Sequence, residues 1–122
     1  MKKFVIVLVF MFAATALFAN PIQLGSFPIG RWLDSNYDAI WEFSTNNIRI
    51  LDSKSGVVLW DFSTKTIEGF RATMSGTSPV ILFSCPEAGR SYRFTISLSD
   101  GNVTMQIDRT GQPQYSVVMR RQ

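Results

Sequence analysis

Ser91-Tyr92-Arg93-Phe94-Thr95-Ile96-Ser97-Leu98-Ser99 leads through Asp100-Gly101-Asn102 into Val103-Thr104-Met105-Gln106-Ile107-Asp108. Tyr92, Phe94, Ile96 and Leu98 alternate with Arg93, Thr95 and Ser97; Val103, Met105 and Ile107 alternate with Thr104, Gln106 and Asp108. Successive side chains of a strand point to opposite faces, so each segment predicts a strand with one apolar and one polar face. Asp100-Gly101-Asn102 is the kind of turn that supplies positive φ for a tight hairpin, which makes the two strands antiparallel neighbours.

The pattern extends in both directions. Towards the C-terminus, Tyr115, Val117 and Met119 alternate with Ser116, Val118 and Arg120. Towards the N-terminus, Phe70, Ala72 and Met74 share a face against Arg71 and Thr73, Ile48 and Ile50 share one against Arg49, and Trp41 and Phe43 share one against Ile40 and Glu42. Val57 to Phe62 and Val80 to Phe83 are apolar on both faces, which suits central strands or strands whose outer face meets something else. Turn-forming clusters such as Asp52-Ser53-Lys54-Ser55-Gly56, Ser75-Gly76-Thr77-Ser78-Pro79 and Thr110-Gly111-Gln112-Pro113 separate the runs. Eight or nine short strands are expected, with no amphipathic helix. An all-β fold of this kind must bury one face and dispose of two strand edges; a two-sheet sandwich does the first, and a small antiparallel up-and-down β-barrel of about eight strands, the expected fold, does both.

The N-terminus carries a different signal. Lys2 and Lys3 precede an apolar run from Phe4 to Phe12, then small residues up to Ala19, then Asn20-Pro21. That is the layout of a secretory signal peptide, cut after Ala19. Phe4 to Ala19 is 16 residues, short of the roughly 20 that span a bilayer as a helix. The expected organisation is a signal peptide at 1–19, an extended arm at 20–29 and one β-barrel domain at 30–122, in a periplasmic or secreted protein.

Charge and composition narrow the function classes. Setting aside Lys2 and Lys3 leaves 10 Lys and Arg against 9 Asp and Glu, scattered singly apart from Arg120-Arg121. No basic stripe of the kind that tracks a phosphate backbone exists, so nucleic acid is not an expected partner. The chain has no histidine and a single cysteine, Cys85. The commonest general base and transition-metal ligand is therefore missing, and the thiol has no imidazole to activate it. No enzyme, cofactor or metal site is expected. Asp34, Asp38 and Glu42 cluster in sequence, but loop carboxylates are ordinarily solvated, and hard-cation sites need several converging oxygens. Cys85, at a strand end, is expected to be inert and partly buried, the other readings being an intermolecular bridge or a free thiol.

Gly30-Arg31-Trp32 stands at the start of the first predicted strand, and an Arg lies at the end of the last. That combination resembles the lipocalin and calycin pattern. The resemblance implies a barrel floor closed by Gly30, Trp32 and Arg120 or Arg121, with the guanidinium stacked on the indole. It also implies a small apolar ligand held inside by inward apolar side chains, most of them aromatic, for which Trp41, Phe43, Ile50, Trp60, Phe70, Tyr92 and Phe94 are the candidates. The same side chains could instead fill the interior, since a barrel of about eight strands is only just wide enough for them. The chain departs from the lipocalin pattern in being short and in lacking a helix after the strands. It also resembles the small eight-stranded periplasmic protease inhibitors, which carry a Gly-x-Trp and project an N-terminal arm into a protease, although their disulfide has no counterpart here. That second resemblance implies a protein-protein module or envelope-associated subunit, with residues 20–29 as the arm.

Overall fold

The computed structural model describes residues 20–122; the signal peptide read from residues 1–19 lies outside them. Nine strands form one antiparallel sheet: β1 (Gly30–Asp34), β2 (Ala39–Ser44), β3 (Asn47–Asp52), β4 (Val58–Asp61), β5 (Glu68–Ser75), β6 (Ser78–Cys85), β7 (Arg90–Ile96), β8 (Val103–Arg109) and β9 (Tyr115–Arg121). The order across the sheet is β4-β3-β2-β1-β9-β8-β7-β6-β5. Each strand lies beside its neighbour in sequence except at one place, between β4 and β5.

The sheet is curled into a half-barrel with a seam, and strand parity explains the seam. Every pairing is antiparallel, so directions alternate along an odd number of strands and β4 runs parallel to β5. A parallel pair needs a crossover of about a dozen residues, and only residues 62–67 separate these two strands. The connection therefore travels back along the gap. A single turn of 3-10 helix at Phe62–Thr64, capped by the Asp61 carboxylate accepting from the Ser63 N–H at 3.0 Å, starts that return. Further along, the Thr66 N–H meets the Glu87 carboxylate at 2.9 Å, in the turn between β6 and β7.

Side chains close what backbone hydrogen bonds do not. Phe62 is fully buried and its ring packs on Trp41, Trp60, Phe83 and Tyr92, with centroids 5.1 to 6.2 Å apart. Opposite the seam the two halves join through β1 and β9 over only two register pairs, Trp32↔Arg121 and Leu33↔Arg120. Between the halves, Trp41 and Phe43 of β2 meet Phe94 of β7 at 5.2 and 5.1 Å. The interior is thus a continuous aromatic core.

The alternation read from the sequence places these inward residues, and the exceptions have local causes. Leu98 does not continue the row of Tyr92, Phe94 and Ile96: β7 ends at Ile96 and Leu98 is 65% exposed. The turn is wider than a two-residue hairpin, closing with Ser97 N–H to Asn102 C=O and Gly101 N–H to Ser97 C=O, both at 2.8 Å. The run from Val57 is an edge strand, not a central one, and Val57, Val58 and Leu59 are exposed. Ala72 and Met74 are also exposed, because β5 is the other edge. Both edges carry a register shift, between Ile50 and Leu51 opposite β4 and between Glu68 and Arg71 within β5, and such bulges twist an edge away from stray pairing.

The N-terminal arm is not a free projection. Ile22, Leu24 and Phe27 are buried at 0, 2 and 3% exposure. The Leu24 N–H donates to the Thr45 carbonyl at 3.2 Å, in the turn after β2. A few residues later Ser26 Oγ reaches the Met74 sulfur at 3.7 Å, on β5. The arm straps one end of the half-barrel from the β2–β3 turn to the far edge strand.

Candidate functional site

The strapped end is a sealed floor. Trp32, fully buried, donates its indole N–H to the Gly101 carbonyl at 2.8 Å, tying β1 to the β7–β8 turn. The Arg121 guanidinium lies 5.1 Å from the Trp32 ring and donates to the Ile29 carbonyl at 2.9 Å. Arg120, named first from the sequence as the floor arginine, is instead exposed and opposite Leu33 on the outer face; successive residues of a strand alternate faces, so only one of the two arginines can lie over the indole. Gly30 has φ +151°, and a Cβ there would come within 3.0 Å of Arg121 Nη2 and 3.2 Å of Trp32. Both backbone conformation and space demand glycine.

The opposite end is an open mouth. Continuing the inward rows outward by one step places Asp34 beyond Trp32 on β1, Arg90 before Tyr92 on β7, and Arg109 beyond Ile107 on β8. They surround a cup of about 280 Å³. Trp41, Ile50, Met105 and Ile107 make its apolar base; Asp34, Tyr37, Tyr115, Arg90 and Arg109 stand around it. Two other concavities, of about 400 and 350 Å³, border β5–β8 and are lined mainly by polar residues such as Glu68, Ser84, Ser91 and Asp108.

Asp34 is the only buried charged residue among those described, at 2% exposure, and it is held from two sides. Its two carboxylate oxygens accept the Tyr115 hydroxyl at 3.0 and 2.9 Å, and one accepts the Asn36 N–H at 2.9 Å. Burial raises the Tyr115 phenol above its ordinary value, more than the hydrogen bond from Asn36 lowers it, and the Asp34 carboxylate adds to the rise. Tyr37 packs edge-on against Tyr115 at 5.4 Å. Arg109 donates through Nε and Nη2 to the Pro113 carbonyl at 3.3 and 2.9 Å and sits 5.8 Å from the Tyr115 ring.

The residues singled out in the sequence divide three ways. Trp41 and Ile50 line the cup. Phe43, Tyr92 and Phe94 are at most 4% exposed inside the aromatic core, where they occupy the space a central ligand would need. Trp60 and Phe70 stand at the seam, Trp60 under the Lys65 ammonium at 4.3 Å and with its indole N–H unpartnered among the described residues. The carboxylates Asp34 and Glu42 do not converge. Asp34 faces the mouth, whereas Glu42 is on the outer face between Arg31 at 2.8 Å and Arg49 at 2.6 Å. Among the described residues no group of three or more His, Cys, Asp or Glu could hold a metal ion, and no helix is long and apolar enough to cross a membrane. Cys85 is fully buried, with no disulfide.

Sequence reasoning missed Arg90, Arg109 and Tyr115 as mouth residues. The signal was present: each has the inward parity of its strand, but a charged residue at the end of an alternating row reads as a turn. Compared with protein-family models, curated proteins and solved structures, the chain matches none. The site is read from its own residues.

Proposed function

We propose that this chain is an exported, non-enzymatic binding protein of lipocalin-like design that holds a small ligand with an apolar body at the mouth of its half-barrel. The mouth cup carries the reading: an apolar base on rigid strands, ringed by a few directed polar groups, is the usual make-up of a small-molecule site, and its volume of about 280 Å³ falls just below the roughly 300 to 1,000 Å³ of such sites, which restricts it to a small ligand. The seat is displaced from the barrel centre, because Phe43, Phe62, Tyr92 and Phe94 fill the interior. The sealed floor supports the same design, with Arg121 over Trp32 and a glycine that makes room for both. Native mass spectrometry of the protein purified from its own compartment, before and after organic extraction, tests the proposal. A small mass lost on extraction supports it; an unchanged bare mass at saturating added alkanol contradicts it.

A protein-protein role is the second reading, favoured by edge strand β4. Val57, Val58 and Leu59 are 59, 42 and 57% exposed. Exposed apolar edges are templates for strand addition. Co-purification of a protein that is lost on Leu59→Lys would favour this reading over the first.

A further inference from the structure

Arg90 and Arg109 are direct cross-strand partners between β7 and β8. Both belong to the inward rows, since the pair two residues along on the same face, Tyr92↔Ile107, is buried on the core side. Like charges placed directly opposite each other destabilise a sheet, so this pair calls for a neutralising group. Neither arginine forms an ion pair among the described residues, whose only salt bridges join Glu42 to Arg31 and Arg49. The sole carboxylate lining the cup, Asp34, has its oxygens turned to the Tyr115 hydroxyl and the Asn36 N–H. Glu68 and Asp108 lie with the arginines along the neighbouring cleft and pair with neither. Arg109 is held in place through Nε and Nη2 by the Pro113 carbonyl, which leaves its remaining donors for a ligand.

We infer that the mouth cup selects a small amphipathic carboxylate, its head held between the Arg90 and Arg109 guanidinium groups and its apolar body on Trp41, Ile50, Met105 and Ile107. The inference rests on the reading of the cup as a ligand seat and adds the ligand's charge class to it. Within the cup itself two guanidinium groups face a single carboxylate, Asp34, a positive excess that suits an anionic head. Guanidinium donors match a planar carboxylate in paired hydrogen bonds that are roughly twice as strong as neutral ones.

Calorimetric titration of the exported protein with octanoate, octanol, octylamine and octyl phosphate separates this inference from the reading beneath it. Octanoate should bind roughly tenfold more tightly than octanol, octylamine should bind more weakly than octanol, and octyl phosphate no more tightly than octanoate. Arg90→Gln and Arg109→Gln should each erode the octanoate advantage over octanol, and rising salt should erode it in the unaltered protein. Equal binding of octanoate and octanol would overturn the charge selectivity and leave the cup as an apolar seat. Tighter binding of octyl phosphate would overturn the carboxylate assignment, and no binding of any of the four would overturn both the inference and the cup. The ligand series uses the unaltered protein, so the outcome does not depend on either variant folding.

Discussion

Phe62 is a single side chain on a six-residue connection, yet it touches both halves of the molecule. Its ring lies between Trp41 and Trp60 on one side and Phe83 and Tyr92 on the other, at the gap that no backbone pairing spans. Truncation removes the contacts and leaves a cavity, so Phe62→Ala should cost about 3 to 5 kcal/mol, a large share of the roughly 5 to 15 kcal/mol that a domain holds. Urea unfolding checks this; a loss under about 1 kcal/mol would show that the seam is sealed by other groups. Gly30→Ala should cost about 1 to 3 kcal/mol from backbone strain, with added disturbance of Arg121 because a Cβ would sit 3.0 Å from its guanidinium. A thermal melt reads the loss, and near-ultraviolet circular dichroism reads the altered surroundings of Trp32. Glycine before Trp32 and an arginine at the chain end were legible as a floor motif. Phe62 was not legible as a plug, because it reads as the last residue of an apolar run and its role depends on where the chain goes next.

Hydrogen-bonded registers tie the outer face together at the scale of strands. Arg31, Glu42 and Arg49 lie opposite one another across β1, β2 and β3, and the Glu42 carboxylate accepts from both arginines. Burial acts to raise its pKa, but the hydrogen bonds and charges of Arg49 and Arg31 outweigh burial and hold it below the ordinary glutamate value. Asp61 behaves alike: burial acts to raise it, but the hydrogen bonds from Ser63 and Asn47 outweigh burial and hold it below the ordinary aspartate value. A carboxylate whose folded pKa is depressed stabilises the protein fully above its unfolded value, about 4.3 for glutamate, and loses that contribution as pH falls through the lowered value. Stability should therefore decline on acidification below about pH 4.3, and Glu42→Gln should flatten part of that decline, as measured by melting temperature against pH. An identical acid limb in the variant would remove Glu42 from the account. Strand identity and inward parity were legible from period-two alternation. Sheet order at the seam was not, because it follows from the parity of nine strands and the shortness of residues 62–67, and an expectation of about eight strands allows a closed ring.

For the whole molecule, the arm and the mouth define two ends with different duties. Deleting residues 20–29 removes Ile22, Leu24 and Phe27, each buried to 3% exposure or less. Large-to-small core changes cost about 2 to 5 kcal/mol apiece, so the shortened chain should lose its cooperative unfolding transition. A shortened chain that melts like the parent would restore the arm to the role of a free docking segment. The sequence marked residues 20–29 as extended but could not say where they fold back, since Pro21, Gly25 and Pro28 break any period that would mark a buried face. The filled centre and open mouth were equally hidden: inward aromatics either line a cavity or occupy it, and only packing distances decide.

Ligand binding at the mouth, above a filled core, is the proposal on which the rest depends. Titration of the isotope-labelled protein with octanoate, followed in its nitrogen–proton correlation spectrum, tests it. Shifts are expected at Tyr37, Ile107, Arg109, Tyr115 and the Trp41 indole, with the Trp32 and Trp60 indoles unmoved. Shifts centred on Trp32 or Trp60, or none at saturating ligand, would contradict it.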